Sequence, residues 1–280
     1  MVNIITDSTS DLGADLAAQF NLSVVPLLVT IGGEVYHDGV DIGQKDLFAL
    51  VEKYGELPKT AAPSMGELIK MFDRPGESLF IGISSKLSAT IQNAILAAET
   101  LPAGKVRVID SLSLSTGVGL LALRAAGLRD QGATAEQIET ALRTCLPKLH
   151  VSFMVDTMEY IYKGGRCNAI QAIAGSVLKI HPIIEVKQDG MLGVKEKARG
   201  VRQKGLQMML EDFCSHLKML DRELVFVTHT TSDEDAEFLK SEIQRLAAPQ
   251  NVLITKAGSV ISSHCGPGCI GILYFTESNR

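Results

Sequence analysis

Through the first half of the chain, short apolar runs alternate with stretches whose apolar residues recur every three or four positions. Residues 2–6 are a compact apolar run that predicts a strand, and it ends in the polar stretch Asp7, Ser8, Thr9, Ser10. Leu12, Leu16 and Phe20 follow at helical spacing, with Ser10 as the expected N-cap. Residues 22–31 read as one strand, then Gly32 and Gly33 signal a turn into an extended piece around Val35 and Tyr36. Leu47, Phe48, Val51 and Tyr54 form a helical stripe that Gly55 should stop. Ser64-Met-Gly-Glu67 is a capping box opening a helix with Leu68, Met71 and Phe72. A buried strand over 79–83, a helix over 88–100 and a strand over 106–109 come next. Helices over 115–131 and 134–146 close this half, the second from the capping-box pattern Thr134-Ala-Glu-Gln137.

This alternation predicts a mostly parallel sheet covered on both faces, and ligands of such sheets bind beyond the carboxyl ends of the strands. Those ends carry Thr6, Asp7 and Ser8, then Ser84 and Ser85, then Asp110 and Ser111. The pattern changes near His150. Residues 180–186 and 192–196 flank Asp189–Gly190, a strong hairpin signal. A long helix over 199–217, a strand over 224–228, a helix from Ser232 and strands over 252–257 and 270–275 complete an α+β pattern.

Composition narrows the classes. The 280 residues are 46% hydrophobic and 21% charged, ordinary for a soluble globular protein and incompatible with a mainly disordered chain. At roughly 100–200 residues per domain the length suggests two domains or one large one. A formal net charge of −5 does not favour a polyanion partner, so nucleic acid is not an expected one. No apolar run approaches the roughly 18 residues that span a bilayer. The opening MVNIITDSTSDL lacks the basic and apolar regions of a secretion signal. Cys145, Cys167, Cys214, Cys265 and Cys269 are odd in number and mostly scattered, which predicts reduced thiols in a cytoplasmic compartment. With no Trp and 5% aromatics, the core should be aliphatic.

Several local motifs have two readings. Gly117-Val-Gly119-Leu-Leu-Ala122 matches a dinucleotide fingerprint but lies past the strand end, inside a helical stretch, so close helix packing is the better reading. Cys265-Gly-Pro-Gly-Cys269 has metal-like spacing beside His264, yet no second cysteine pair accompanies it. His264 is either a residue presented to a ligand ahead of a glycine–proline turn or a structural residue of a tight turn entering the last strand. Thr60-Ala-Ala-Pro-Ser64 and Ser84-Ser-Lys-Leu-Ser88 each set hydroxyls ahead of a helix N-terminus, where they cap the helix or help hold an anion. Lys163-Gly-Gly-Arg166 is a basic turn between two helices. Lys195, Lys197, Arg199, Arg202 and Lys204 make a basic run that is either a solvated face or a contact for an acidic partner or an anionic membrane surface.

Taken together with Ile5-Thr-Asp-Ser-Thr-Ser-Asp-Leu12, Asp38-Gly-Val-Asp41, Ile83-Ser-Ser-Lys-Leu-Ser-Ala-Thr90, Val108-Ile-Asp-Ser111, Tyr160-Ile-Tyr-Lys-Gly-Gly-Arg166, Lys179-Ile-His-Pro-Ile183 and Ser263-His-Cys-Gly-Pro-Gly268, these stretches resemble the DegV family. Its members are bacterial fatty-acid-binding proteins that serve as the acyl-carrying subunit of fatty acid kinase. Ala89 stands where the family often has glycine, and Cys265 and Cys269 flank the glycine–proline turn. The resemblance implies a two-domain α/β fold: a domain over 1–149 with a mainly parallel sheet, and an α+β domain over 150–280 with a mainly antiparallel one. It implies one long-chain fatty acid in a tunnel at their junction, its carboxylate held by Thr60, Ser88 and His264. It further implies no catalytic residue, cofactor or metal in this chain, a separate kinase subunit as partner, and transient contact with the membrane surface. Arg166, Arg199 and Arg202 are candidate contacts for the partner or for phosphate. The competing expectation is a small-molecule kinase or phosphatase with a metal at Asp7, Asp38 or Asp110, and the missing glycine-rich phosphate loop counts against it.

Overall fold

The structure, a computed structural model, describes residues 2–166 and 180–278. It divides into two compact units, Met1–Leu146 with Gly258–Val260, and Pro147–Ala257 with Ile261–Arg280. Cys167 and Lys179, and the helix expected after Arg166, fall outside the described residues.

The first unit runs β1 (Asn3–Asp7), α1 (Gly13–Gln19), β2 (Ser23–Val25), β3 (Leu28–Ile31), β4 (Glu34–His37), α2 (Gln44–Tyr54) and β5 (Lys59–Ala61). It continues with α3 (Met65–Phe72), β6 (Ser78–Gly82), α4 (Thr90–Glu99), β7 (Val106–Asp110), α5 (Thr116–Asp130) and α6 (Ala135–Cys145). Its main sheet is parallel, in the order β2-β1-β6-β7. Every residue of the central β6 is buried, as helices on both faces of a parallel sheet require. Ile5, Phe80, Leu68, Phe72, Ile91 and Ala94 form one core cluster.

Pro26 breaks the single strand expected over 22–31. With no N–H to give to a ladder, it marks the point where the chain leaves the parallel sheet at Val25 and enters a small antiparallel sheet, β4-β3-β5, at Leu28. Ser10 does not cap α1. Instead Asp7 caps a short 3-10 turn over Ser8–Ser10, and α1 begins only at Gly13. The two capping boxes at Ser64 and Thr134 form as expected, and Gly55 ends α2 at φ 66°. Gly117 and Gly119 lie inside α5, where a Cβ on Gly119 would sit 2.8 Å from the Ser10 carbonyl oxygen and 2.7 Å from Leu12 Cδ2. The glycine there serves helix packing.

The second unit runs β8 (Leu149–Met154), α7 (Met158–Gly164), β9 (Ile180–Val186), β10 (Leu192–Arg199), α8 (Arg202–Ser215) and β11 (Leu220–His229). It ends with α9 (Asp233–Ala247), β12 (Asn251–Lys256), α10 (Ser259–Cys265) and β13 (Ile270–Thr276), the first two residues of α10 counting with the first unit. Its sheet has the order β10-β9-β8-β13-β11-β12 and is antiparallel except for the β11/β12 pair. The hairpin at Asp189–Gly190 is present, with Gly190 at φ 82°. The long helix starts three residues later than expected: Arg199 is the last residue of β10, and the helix opens at Arg202. No helix among the described residues is long and apolar enough to cross a membrane.

Candidate functional site

Thr60 sits on β5, paired across the small sheet with Val29. Beyond it the chain turns through Pro63 to Ser64, whose hydroxyl and Glu67 carboxylate complete the α3 capping box, Ser64 N–H donating to Glu67 Oε2 at 2.8 Å. Thr60 therefore lies on a strand, and the cap is Ser64. Ser88 follows β6 through a tight turn in which Leu87 N–H and Ser88 N–H both donate to Ser84 O, at 2.9 and 3.1 Å. Its Oγ accepts from Thr90 N–H at 3.3 Å and shares a 2.9 Å hydrogen bond with Thr90 Oγ1, so Ser88 covers the N-terminus of α4. A serine hydroxyl that accepts such a bond still has a proton to donate to an anion. Asn93, in the first turns of α4, donates to Pro63 O at 2.9 Å and ties the helix behind Ser88 to the loop behind Thr60.

Three buried carboxyl groups stand in the same unit. Asp7 accepts from Thr9 N–H at 2.9 Å, from the Thr9 hydroxyl and from Ile83 N–H at 2.8 Å. Burial outweighs these bonds and pushes its pKa up to about 6. Asp11 accepts from Ser115 Oγ at 2.5 Å and from Gly258 N–H at 2.8 Å, and burial raises it well above the ordinary carboxyl range. Asp38, also raised by burial, accepts from Ser259 N–H at 2.7 Å and Ser259 Oγ at 2.6 Å. Asp110 accepts from Ser85 N–H at 3.2 Å and Leu112 N–H at 3.0 Å. These groups pin turns and the start of α10. Asp7, Asp38 and Asp110 each spend oxygens on amides of separate segments, and among the described residues no group of three or more His, Cys, Asp or Glu is gathered to hold a metal ion.

In the second unit His264 occupies the last turn of α10 rather than a bare turn before β13. Burial, helped by the nearby Arg166 charge, lowers its pKa to about 4, so the imidazole is neutral across the physiological range. The following Gly266 and Gly268 have φ of +73° and +77°, and Gly268 N–H donates to Thr230 O at 3.0 Å. Cys265 and Cys269 are buried free thiols. Arg166 is exposed after α7, its Nη1 donating to Gly164 O at 2.5 Å. Arg199 is exposed at the end of β10. Arg202 is engaged: Nε meets Asp235 Oδ2 at 2.6 Å, Nη1 meets Asp156 Oδ1 at 3.3 Å and Nη2 donates to Ser232 Oγ at 3.1 Å. Lys195 of the same basic run pairs with Asp212 at 2.6 Å.

The model of a family described as uncharacterised DegV proteins matches residues 1–277, nearly the whole chain. The chain belongs to the DegV family. A DegV domain-containing protein of Caldanaerobacter subterraneus subsp. tengcongensis is 30% identical over 279 residues, covering 98% of each chain. Among solved structures, one describing fatty-acid binding by a DegV-family protein of Thermus thermophilus is 31% identical, covers 98% of this chain and 99% of its own, and superposes with a TM-score of 0.92. DegV of Bacillus subtilis, described as a fatty-acid-binding protein, is 26% identical over 98% of this chain and 99% of its own, with a TM-score of 0.87. The fold of this DegV-family chain is also that of the fatty acid kinase B3 protein of Streptococcus pneumoniae solved with linoleic acid, at 22% identity, 98% and 99% coverage and a TM-score of 0.87.

Of the DegV-family residues named from sequence, Thr60 and Ser88 share the first unit and His264 belongs to the second. Asp11 and Gly164 lie inside sequence motifs whose local pattern gives neither of them a role of its own. Nothing near Asp11 in sequence marks its partner Gly258, 247 residues on. The doubled glycine of Lys163-Gly-Gly-Arg166 was a visible signal: Gly165 caps α7 at φ 68°, whereas Gly164, inside the helix, has no backbone need to be glycine.

Proposed function

We propose that this DegV-family chain binds one long-chain fatty acid and presents its carboxylate to a separate kinase that forms the acyl-phosphate. Thr60, Ser88 and His264 hold the carboxylate in this reading, and the chain itself carries no catalytic group. The observation that carries it is the 0.92 TM-score, at 31% identity over almost the full length, to the fatty-acid-binding DegV protein of Thermus thermophilus.

The residue chemistry supports the same division of labour. Burying a sixteen-carbon tail is worth about 0.8 kcal/mol per CH₂, but a bilayer offers the tail similar burial. Extraction from a membrane is therefore decided at the head group. Two hydroxyls and an imidazole neutral above pH about 4 donate single hydrogen bonds. A bidentate arginine would occupy both carboxylate oxygens, whereas neutral single donors leave one able to attack a phosphoryl group. Arg166 and Arg199, both exposed, are placed to steer an acidic kinase surface or an anionic membrane. Arg202 joins them only through exchange of its pairs with Asp235 and Asp156.

Mass spectrometry of lipid extracted from the purified protein tests the reading directly. One long-chain fatty acid per chain is expected, together with ATP-dependent acyl-phosphate formation only when a cognate kinase is added. A lipid-free protein that also takes up neither oleate nor palmitate, or an isolated chain that turns over ATP with magnesium, refutes it.

A further inference from the structure

Two glycine-bearing turns of the second unit interlock. A Cβ on Gly266 would lie 2.7 Å from Tyr160 Cδ2 and 3.2 Å from Thr157 Cγ2, and one on Gly268 would lie 2.8 Å from Asp156 Cβ. In the opposite direction, a Cβ on Gly164 of α7 would lie 2.6 Å from Nδ1 of His264, closer than such atoms pack. Gly266 and Gly268 also have positive φ, which favours glycine. Gly164 lacks that requirement, and what it accommodates is the imidazole. The neighbouring Gly165, at φ 68°, meets nothing within 4 Å. Thus the sequence stretches around Lys163-Gly-Gly-Arg166 and His264-Cys-Gly-Pro-Gly268 are two halves of one packing arrangement.

We propose that Gly164 is the positioning residue of His264: its bare Cα closes over the Nδ1 edge of the ring and leaves Nε2–H to donate to the fatty-acid carboxylate. The inference rests on the reading of His264 as a head-group residue. An added methyl at position 164 meets a stiff helix backbone on one side and an aromatic ring on the other, so the ring must turn. A turned ring aims Nε2 away from its acceptor, and a hydrogen bond weakens steeply once its angle falls toward 120°.

The test is oleate titration of delipidated wild type, Gly164→Ala, His264→Ala and the double variant, with thermal melts, and ¹⁵N NMR of the wild-type imidazole in the oleate complex. His264→Ala is expected to weaken binding about tenfold to a hundredfold, the loss of one hydrogen bond to a charged group. Gly164→Ala should match it, and the double variant should bind no worse than His264→Ala, because the methyl acts only through the ring. Gly165→Ala should lower the melting temperature and keep wild-type affinity. The wild-type spectrum should report the Nε2–H tautomer, a readout that does not depend on any variant folding. Wild-type affinity in Gly164→Ala beside a weakened His264→Ala, an additive double variant, or an Nδ1–H tautomer overturns the role of Gly164 alone. Wild-type affinity in His264→Ala overturns the head-group reading and this inference with it.

Discussion

Ser88→Ala separates a structural hydrogen bond at the start of α4 from a ligand contact, because the two roles differ in size and in readout. The hydroxyl accepts from Thr90 N–H at 3.3 Å, a long bond, and shares a partly exposed 2.9 Å bond with Thr90 Oγ1. Deleting it should cost about 1 kcal/mol of stability, the middle of the range for an intramolecular hydrogen bond. In a protein of this size that lowers Tm by about 2–4 °C. A hydrogen bond to an ionised carboxylate is worth more, about 1.5–3 kcal/mol, which is about tenfold to a hundredfold in Kd. Delipidated wild type and Ser88→Ala titrated with oleate, with melts in parallel, should show a small Tm loss and a large affinity loss together. Thr90→Val removes the other partner of the 2.9 Å bond and leaves Ser88 in place, so it should lower Tm and keep affinity. A Tm loss of the stated size with wild-type affinity in Ser88→Ala would refute the reasoning and leave Ser88 as a structural residue of the turn before α4.

Arg166→Ala should retain bound fatty acid and lower the rate of acyl-phosphate formation with a cognate kinase, most clearly at low salt; equal loss of lipid and rate would place the side chain in the lipid site. Gly119→Ala should destabilise the protein by about 1–3 kcal/mol in a denaturant titration, since the new methyl would meet the Ser10 carbonyl at 2.8 Å; an unchanged midpoint would show that α5 can shift. Asp7 binds its proton more tightly folded, with a pKa of about 6, than unfolded, near 3.8. Its contribution to stability is therefore full below the unfolded value and is lost as pH rises toward about 6, on the order of 3 kcal/mol. Carboxyl ¹³C NMR should find it titrating near 6, and a value at or below 4 would contradict the burial argument.

The sequence by itself determined what local chemistry controls. Capping boxes at Ser64 and Thr134, the stop at Gly55 and the hairpin at Asp189–Gly190 each join residues a few positions apart, so their physics is complete within a short window. The order of strands and helices that makes the first sheet parallel was legible for the same reason, and so was the helical reading of Gly117 and Gly119. Pro26 was a visible signal for two strands, and only the sheet assignments explain why both exist. Other features depend on partners far along the chain. β8 is buried at all six residues, so it has no alternation to read. α10 is short and rich in serine, a poor helix former, and its first residue is held by Asp38 from 221 positions away. The start of the helix at Arg202 follows the ion pairs with Asp235 and Asp156, which a basic run in sequence does not reveal. Residue identities at 164 and 264 were both in plain view. That one must be small because the other lies against it is a contact across a hundred residues, and only the folded chain brings those atoms together.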